Sequence, residues 1–116
     1  MRSSDDVRAL FREGGVQVEE AVAGFSGMYP IGGGYSNIDV PFTRCRAIAR
    51  IDAELGVWAS KRFGGRPVYR LSVWPVERFT IVRLGERFDR VALGDQRFWV
   101  HRRHRDVIEG WAGASL

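Results

Sequence analysis

The sequence predicts a small α+β domain, with an antiparallel sheet of about four strands (roughly residues 67–102) packed on one main helix (roughly 41–63) and a short helix near each terminus. Three observations point there. The stretch 68–101 alternates apolar and polar side chains and is broken by glycine-containing pairs, the pattern of a meander of hairpins. Ile48, Ile51, Leu55 and Trp58 recur at helical spacing and would form one apolar stripe. At 116 residues the chain has the size of one domain and buries a core without metals or disulfides, so 1–116 is read as a single domain.

Taken in order, Asp5 and Asp6 stand ahead of Val7, Leu10 and Phe11, which reads as a short helix because carboxylates suit its positive end. Gly14-Gly15 closes it. In VQVEEAVAGF the first residues alternate like a strand, but EEAVAGF fits a helix, and 18–23 is assigned as one. SGMYPIGGGYSNID follows as a flexible glycine-rich loop over 26–40. Its three consecutive glycines could cradle an anion with backbone amides, but no strand directly precedes them and no Lys-Ser pair follows, so neither the P-loop nor the dinucleotide pattern is met.

Pro41 is then placed in the first turn of the main helix, Arg50 and Glu54 form an i,i+4 pair on its flank, and Gly64-Gly65 stops it. Cys45, one turn before Ile48, reads as a small buried side chain. The meander comes next. Pro75 ends its first strand, and Gly85-Glu86 and Gly94-Asp95 serve as two-residue loops with glycine first, as a type II′ turn requires. Those loops set Val82 opposite Asp89, Ile81 opposite Arg90, Val91 opposite Phe98 and Arg90 opposite Trp99.

One face of the meander then gathers Thr80, Val82, Leu84, Val91, Leu93, Phe98 and Val100, which should meet the main helix. The other gathers Phe79, Ile81, Arg83, Phe88, Arg90, Ala92, Arg97, Trp99 and His101. Such a face is either a basic, aromatic platform for nucleic acid or an amphipathic surface whose arginine stems lie over apolar rings. Residues 106–111 would form a last short helix with Val107, Ile108 and Trp111 inward, and 112–116 would fray.

Composition narrows the functional classes. One cysteine excludes an intramolecular disulfide and a cysteine-based zinc site. The expectation is no metal and no cofactor. The N-terminal residues lack the apolar core of a secretion signal, and no apolar run approaches a membrane span, so the expected location is soluble, cytoplasmic or intravirion. Residues 1–40 carry a net charge of −3 and residues 41–116 a net +7, with arginine supplying 17 of the 18 basic side chains. That asymmetry fits a polyanion or an acidic protein surface as partner.

The densest charge is His101, Arg102, Arg103, His104 and Arg105. Nothing fixes its histidines at a metal-ligand spacing, and the arginines between them repel a cation. The remaining readings are a basic patch for a phosphate backbone or an acidic protein, ordinary surface salt bridging with Asp106 and Glu109, and an acid–base site in which His101 or His104 moves a proton. VHRRHRDVIE, after a helix and strands, resembles the end of the toxin ribonucleases of toxin–antitoxin systems, over about a dozen residues from His101 to Glu109. The resemblance implies metal-independent RNA cleavage with His101 and His104 as catalytic candidates. The extra hairpin at Gly94-Asp95 and the aromatic Trp111 depart from that pattern.

The preferred reading is therefore a basic, arginine-rich, non-enzymatic binding protein that contacts nucleic acid or an acidic protein through Arg83, Arg90, Arg97, Trp99, His101, Arg102, Arg103 and Arg105. The alternatives are an interaction subunit of a larger assembly, such as a virion or mobile-element component or a protein inhibitor, and the ribonuclease.

Overall fold

A computed structural model describes residues 3–27, 43–61 and 66–113. It contains helix α1 (Ser4–Glu13), strands β1 (Glu20–Gly27), β2 (Thr43–Ile51), β3 (Glu54–Ser60), β4 (Pro67–Pro75), β5 (Phe79–Arg83), β6 (Phe88–Leu93) and β7 (Gln96–His101), and helix α2 (Arg105–Gly113). All seven strands form one antiparallel sheet in the order β4-β3-β2-β1-β7-β6-β5. A four-stranded sheet on one main helix is thus overturned: the fold is mostly sheet, with two short helices.

The largest correction concerns residues 41–63. Where a helix was expected, β2 and β3 form a hairpin whose two-residue loop is Asp52-Ala53, because Ile51 pairs with Glu54. Asp52 takes the left-handed conformation, φ 55°, which aspartate tolerates better than most residues. Ile48, Leu55 and Val57 bury on one side of the sheet, Ala47, Ala49 and Trp58 on the other. A strand covered on both faces loses its polar alternation, and the spacing of Ile48, Ile51, Leu55 and Trp58 then mimics a helix stripe. Ile51, expected in that stripe, is exposed, and Cys45 is half-buried on β2. The helix assigned to 18–23 is likewise replaced, by β1, in which Ala21 and Val22 bury on opposite faces.

The order of strands makes the sheet curl. β4 and β5 lie at opposite edges, yet only the short 3₁₀ turn Val76–Arg78 separates them in the chain. The edges must therefore approach. Gly94, in the β6–β7 loop, sits against the Trp74 indole of β4, its N–H donates to the Arg78 carbonyl (3.1 Å), and Ser72 Oγ donates to Gln96 Oε1 (3.3 Å). The result is an open barrel.

Its interior holds the main core: Val22, Ile48, Val57, Phe79, Val91 and Phe98 with their neighbours. Helix α2 closes one end. Trp111 is fully buried there, edge-on to Phe79 (ring centroids 5.4 Å apart), and its Nε1 donates to Glu20 Oε1 (2.9 Å). Helix α1 lies outside, where Val7 and Phe11 meet Ala21, Ala47, Ala49 and Trp58. The three alanines let the helix approach closely, and Phe11 packs edge-on against Trp58. Ser3 caps α1 in a capping box with Asp6, and Gly14 follows its last residue, so the expected element is present with its cap two residues earlier.

Of the two predicted hairpins, β6–β7 has the expected register: Leu93 opposite Gln96, Val91 opposite Phe98, Arg90 opposite Trp99, with Gly94 at φ 63°. The β5–β6 hairpin does not. Ile81 pairs with Val91 and Arg83 with Arg90 across a bulge, and residues 84–87 form a longer connection than the Gly85-Glu86 pair foretold. That shift sends Phe79 and Ile81 to the core and leaves Thr80, Val82 and Leu84 exposed, the reverse of the expected faces. The cause is the fixed connection. Gly85 N–H donates to the buried Asp89 carboxylate (3.0 Å), while the Gly85 carbonyl accepts from Arg105 Nη2 (2.7 Å). The glycine-rich loop expected at 26–40 lies outside the described residues from 28 onward, with Ser26 and Gly27 belonging to β1; of the tail at 112–116, Ala112 and Gly113 belong to α2 and the rest lies outside.

Candidate functional site

Helix α1 covers the outer surface only over β1, β2 and β3. Over β7, β6 and β5 that surface carries Arg97, Trp99 and His101 from β7, Phe88, Arg90 and Ala92 from β6, and Thr80 and Arg83 from β5. Cross-strand pairing brings the arginines together: Arg83 stands opposite Arg90, and Arg97 opposite Ala92, one alternation away. Among the described residues, none of Arg83, Arg90 and Arg97 is paired with a carboxylate.

Arg90 is the centre of the group. Its guanidinium lies over the Trp99 ring, 4.3 Å from the centroid, a cation–π contact. Trp99 Nε1 in turn donates to the Gly27 carbonyl (3.2 Å), which fixes the indole against β1. Burial holds the Arg90 guanidinium below the ordinary arginine range, and the charges of Arg97 and Arg83 depress it further. Its buried Nη1 has no hydrogen-bond partner among the described residues. Phe88 is buried, edge-on to His101 and Phe25. The predicted platform of stacked aromatics is therefore a cationic face whose rings are already engaged from within.

The cluster at 101–105 is divided by the turn that links β7 to α2. His101 is half-buried, and its Nδ1 accepts from the Arg103 backbone N–H (3.1 Å) and from Arg103 Nε (3.2 Å). Burial, then the charges of Arg103, Arg102 and Arg87, lower its pKa despite the opposing pull of Asp89. Both effects favour the neutral ring with its proton on Nε2. His104 points inward, 1 % exposed, with Nδ1 2.6 Å from Ser4 Oγ. Burial in the first place, with Arg103 and His101 adding to it, lowers its pKa to about 4. The two imidazoles are not offered together to a substrate, so the acid–base pair that the ribonuclease resemblance implies is not assembled.

Arg105 is likewise committed. Its Nε and Nη2 clasp Asp89 (3.1 and 2.7 Å), a carboxylate with no exposed surface, and that hydrogen bond raises the Arg105 pKa. It fastens α2 to β6 and takes Arg105 out of the set available to a partner. Arg102 donates to the Glu86 carbonyl (3.1 Å) yet is exposed, as is Arg103. Sequence reasoning missed the Asp89–Arg105 pair. The signal was an aspartate inside an otherwise apolar and basic strand, where a buried carboxylate needs a partner. Among the described residues, no group of three His, Cys, Asp or Glu side chains is gathered as a metal ion would need, and no helix is long and apolar enough to cross a membrane. No family model matches the chain, and a search of curated proteins gives no match either.

Proposed function

We propose that this chain is a non-enzymatic binding module that holds a nucleic-acid phosphate backbone on the outer face of β5, β6 and β7. The observation that supports it is the grouping of Arg83, Arg90 and Arg97 on one face that no described element covers, with no carboxylate partner among the described residues. Burial first, and then the charges of Arg97 and Arg83, raise the electrostatic cost of the Arg90 guanidinium, and a line of phosphates relieves it. Arginine forks also match phosphate geometry. Exposed Arg102 and Arg103 extend the charge beyond the end of β7. With Arg90 over Trp99 and Phe88 buried, recognition rests on charge rather than on base stacking.

The test is fluorescence anisotropy of a labelled single-stranded oligonucleotide against a salt series. Five phosphate contacts would weaken binding about 100-fold between 50 and 200 mM salt, through counterion release. Changing Arg83, Arg90 and Arg97 together to alanine should flatten that slope. Unchanged affinity in the triple variant would refute the reading. A second reading, an interaction subunit, is favoured by the edge strand β4, where Val68, Tyr69, Leu71 and Val73 are exposed; apolar edge strands invite pairing, and light scattering coupled to gel filtration against a candidate partner tests it.

A further inference from the structure

Helix α2 closes one end of the curled sheet, and at the other end the described residues line a mouth of a different character. Along β2 the inward-facing residues run Arg50, Ile48, Arg46, Arg44, opposite Glu20, Val22, Gly24 and Ser26 of β1. The interior therefore grades from an apolar middle to a cationic rim. A cavity of about 490 Å³ opens there, lined by Ser26, Arg46, Leu71, Gln96, Arg97 and Phe98. That volume falls in the range of small-molecule sites.

We propose that this mouth binds a small amphipathic carboxylate, with its head on Arg46 and its apolar body against Phe98 and Leu71. Arg46 is half-buried, and among the described residues it donates one bond, from Nη1 to the Cys45 carbonyl (2.9 Å); within that set most of the guanidinium fork is left for a ligand. Among the described residues it has no carboxylate partner. Burial and the neighbouring Arg44 charge both depress its pKa, so an entering anion is stabilising. Gln96 is pre-set as a donor: Trp74 Nε1 donates to Ser72 Oγ (3.3 Å) and Ser72 Oγ donates to Gln96 Oε1 (3.3 Å). With its oxygen occupied, the Gln96 amide has N–H groups left to give. Ser26 adds a hydroxyl. The Phe98 ring, 2 % exposed, forms the floor, and Leu71, 44 % exposed, forms the lip. Leu71 owes that position to the register shift between β3 and β4, where Val57 faces Ser72 but Trp58 faces Arg70.

This site shares only Arg97 with the outer face and does not depend on nucleic-acid binding. Decanoate titrated into the full chain by isothermal titration calorimetry probes it, with decanol as the uncharged comparison. Saturable one-site binding of decanoate is expected, weakened by about tenfold or more for decanol and for Arg46→Gln, since a charge-assisted bond is lost in each. Arg46→Lys should retain part of the affinity, and Arg83→Ala all of it. Circular dichroism checks the fold of each variant. Should Arg46→Gln unfold, Leu71→Ser, at an exposed position, reads the apolar half of the site and should also weaken binding. Absence of saturable decanoate binding, equal affinity for decanol, or full affinity in a folded Arg46→Gln would overturn the proposal.

Discussion

Replacing Gly94 with alanine probes the contact that curls the sheet. Gly94 has φ 63°, and a Cβ placed there would lie 2.4–2.6 Å from three carbons of the Trp74 ring. Two costs follow. The left-handed backbone disfavours any L side chain by roughly 1–2 kcal/mol. Carbon–carbon contacts need about 3.5–4.0 Å, so the indole must retreat by more than 1 Å, an overpacking cost of roughly 1–3 kcal/mol. Gly94→Ala should therefore lower stability by about 2–5 kcal/mol in urea unfolding. The two costs separate in a double-mutant cycle. In a Trp74→Ala background the ring is gone and only the backbone part, about 1–2 kcal/mol, should remain. A coupling energy of about 1–3 kcal/mol is the expected outcome. Strict additivity would mean that Trp74 does not sit on Gly94, and the approach of β4 to the β6–β7 loop would lose its main support.

Two further predictions concern stability. His104 is neutral when folded, with its pKa near 4 against about 6.5 in the unfolded chain. Its contribution is complete above about pH 6.5 and is lost as pH falls toward 4, because the unfolded state takes up the proton first. Urea unfolding at pH 7.5 and 4.5 should differ by up to about 3 kcal/mol from this group, and His104→Gln should remove most of the difference; an unchanged pH dependence would place the ring in water. The second prediction separates hairpin from helix at residues 43–60. Ile51 is 37 % exposed whereas Ala49, beneath α1, is fully buried, so Ile51→Gln should cost about 1–2 kcal/mol and Ala49→Gln about 3 kcal/mol or more. A helix packed through Ile48, Ile51, Leu55 and Trp58 would give the opposite order.

The candidate face was half legible. Arg90, Arg97, Trp99 and His101 fall on one side because the Gly94-Asp95 loop fixes the register of β6 and β7, and side chains alternate along a strand. On β5 Arg83 keeps its expected side, whereas Thr80 changes places with Phe79 and Ile81, because the connection to β6 is held by Asp89 and Arg105, a contact sixteen residues apart that no local pattern announces. The mouth around Arg46 is invisible in the sequence for a stronger reason: the spacing of Ile48, Ile51, Leu55 and Trp58 predicts a helix where β2 lies. On a helix Arg44 and Arg46 would be flank charges, whereas in the strand both belong to the inner face, Arg46 half-buried opposite Gly24 and Arg44 exposed at the rim opposite Ser26.

What the sequence by itself determined is whatever a few neighbouring residues can enforce: the capped helix α1, the tight β6–β7 hairpin, the short helix α2 and the basic bias of residues 41–116. Tertiary structure alone decided that residues 43–60 are strands, that seven strands share one sheet, and that its two edges curl together. The physical reason is that Ala47, Ile48 and Ala49 bury on both sides at once. Burial on two faces erases the period-two signal, and only the partners on each side, α1 without and the barrel core within, distinguish such a strand from a helix.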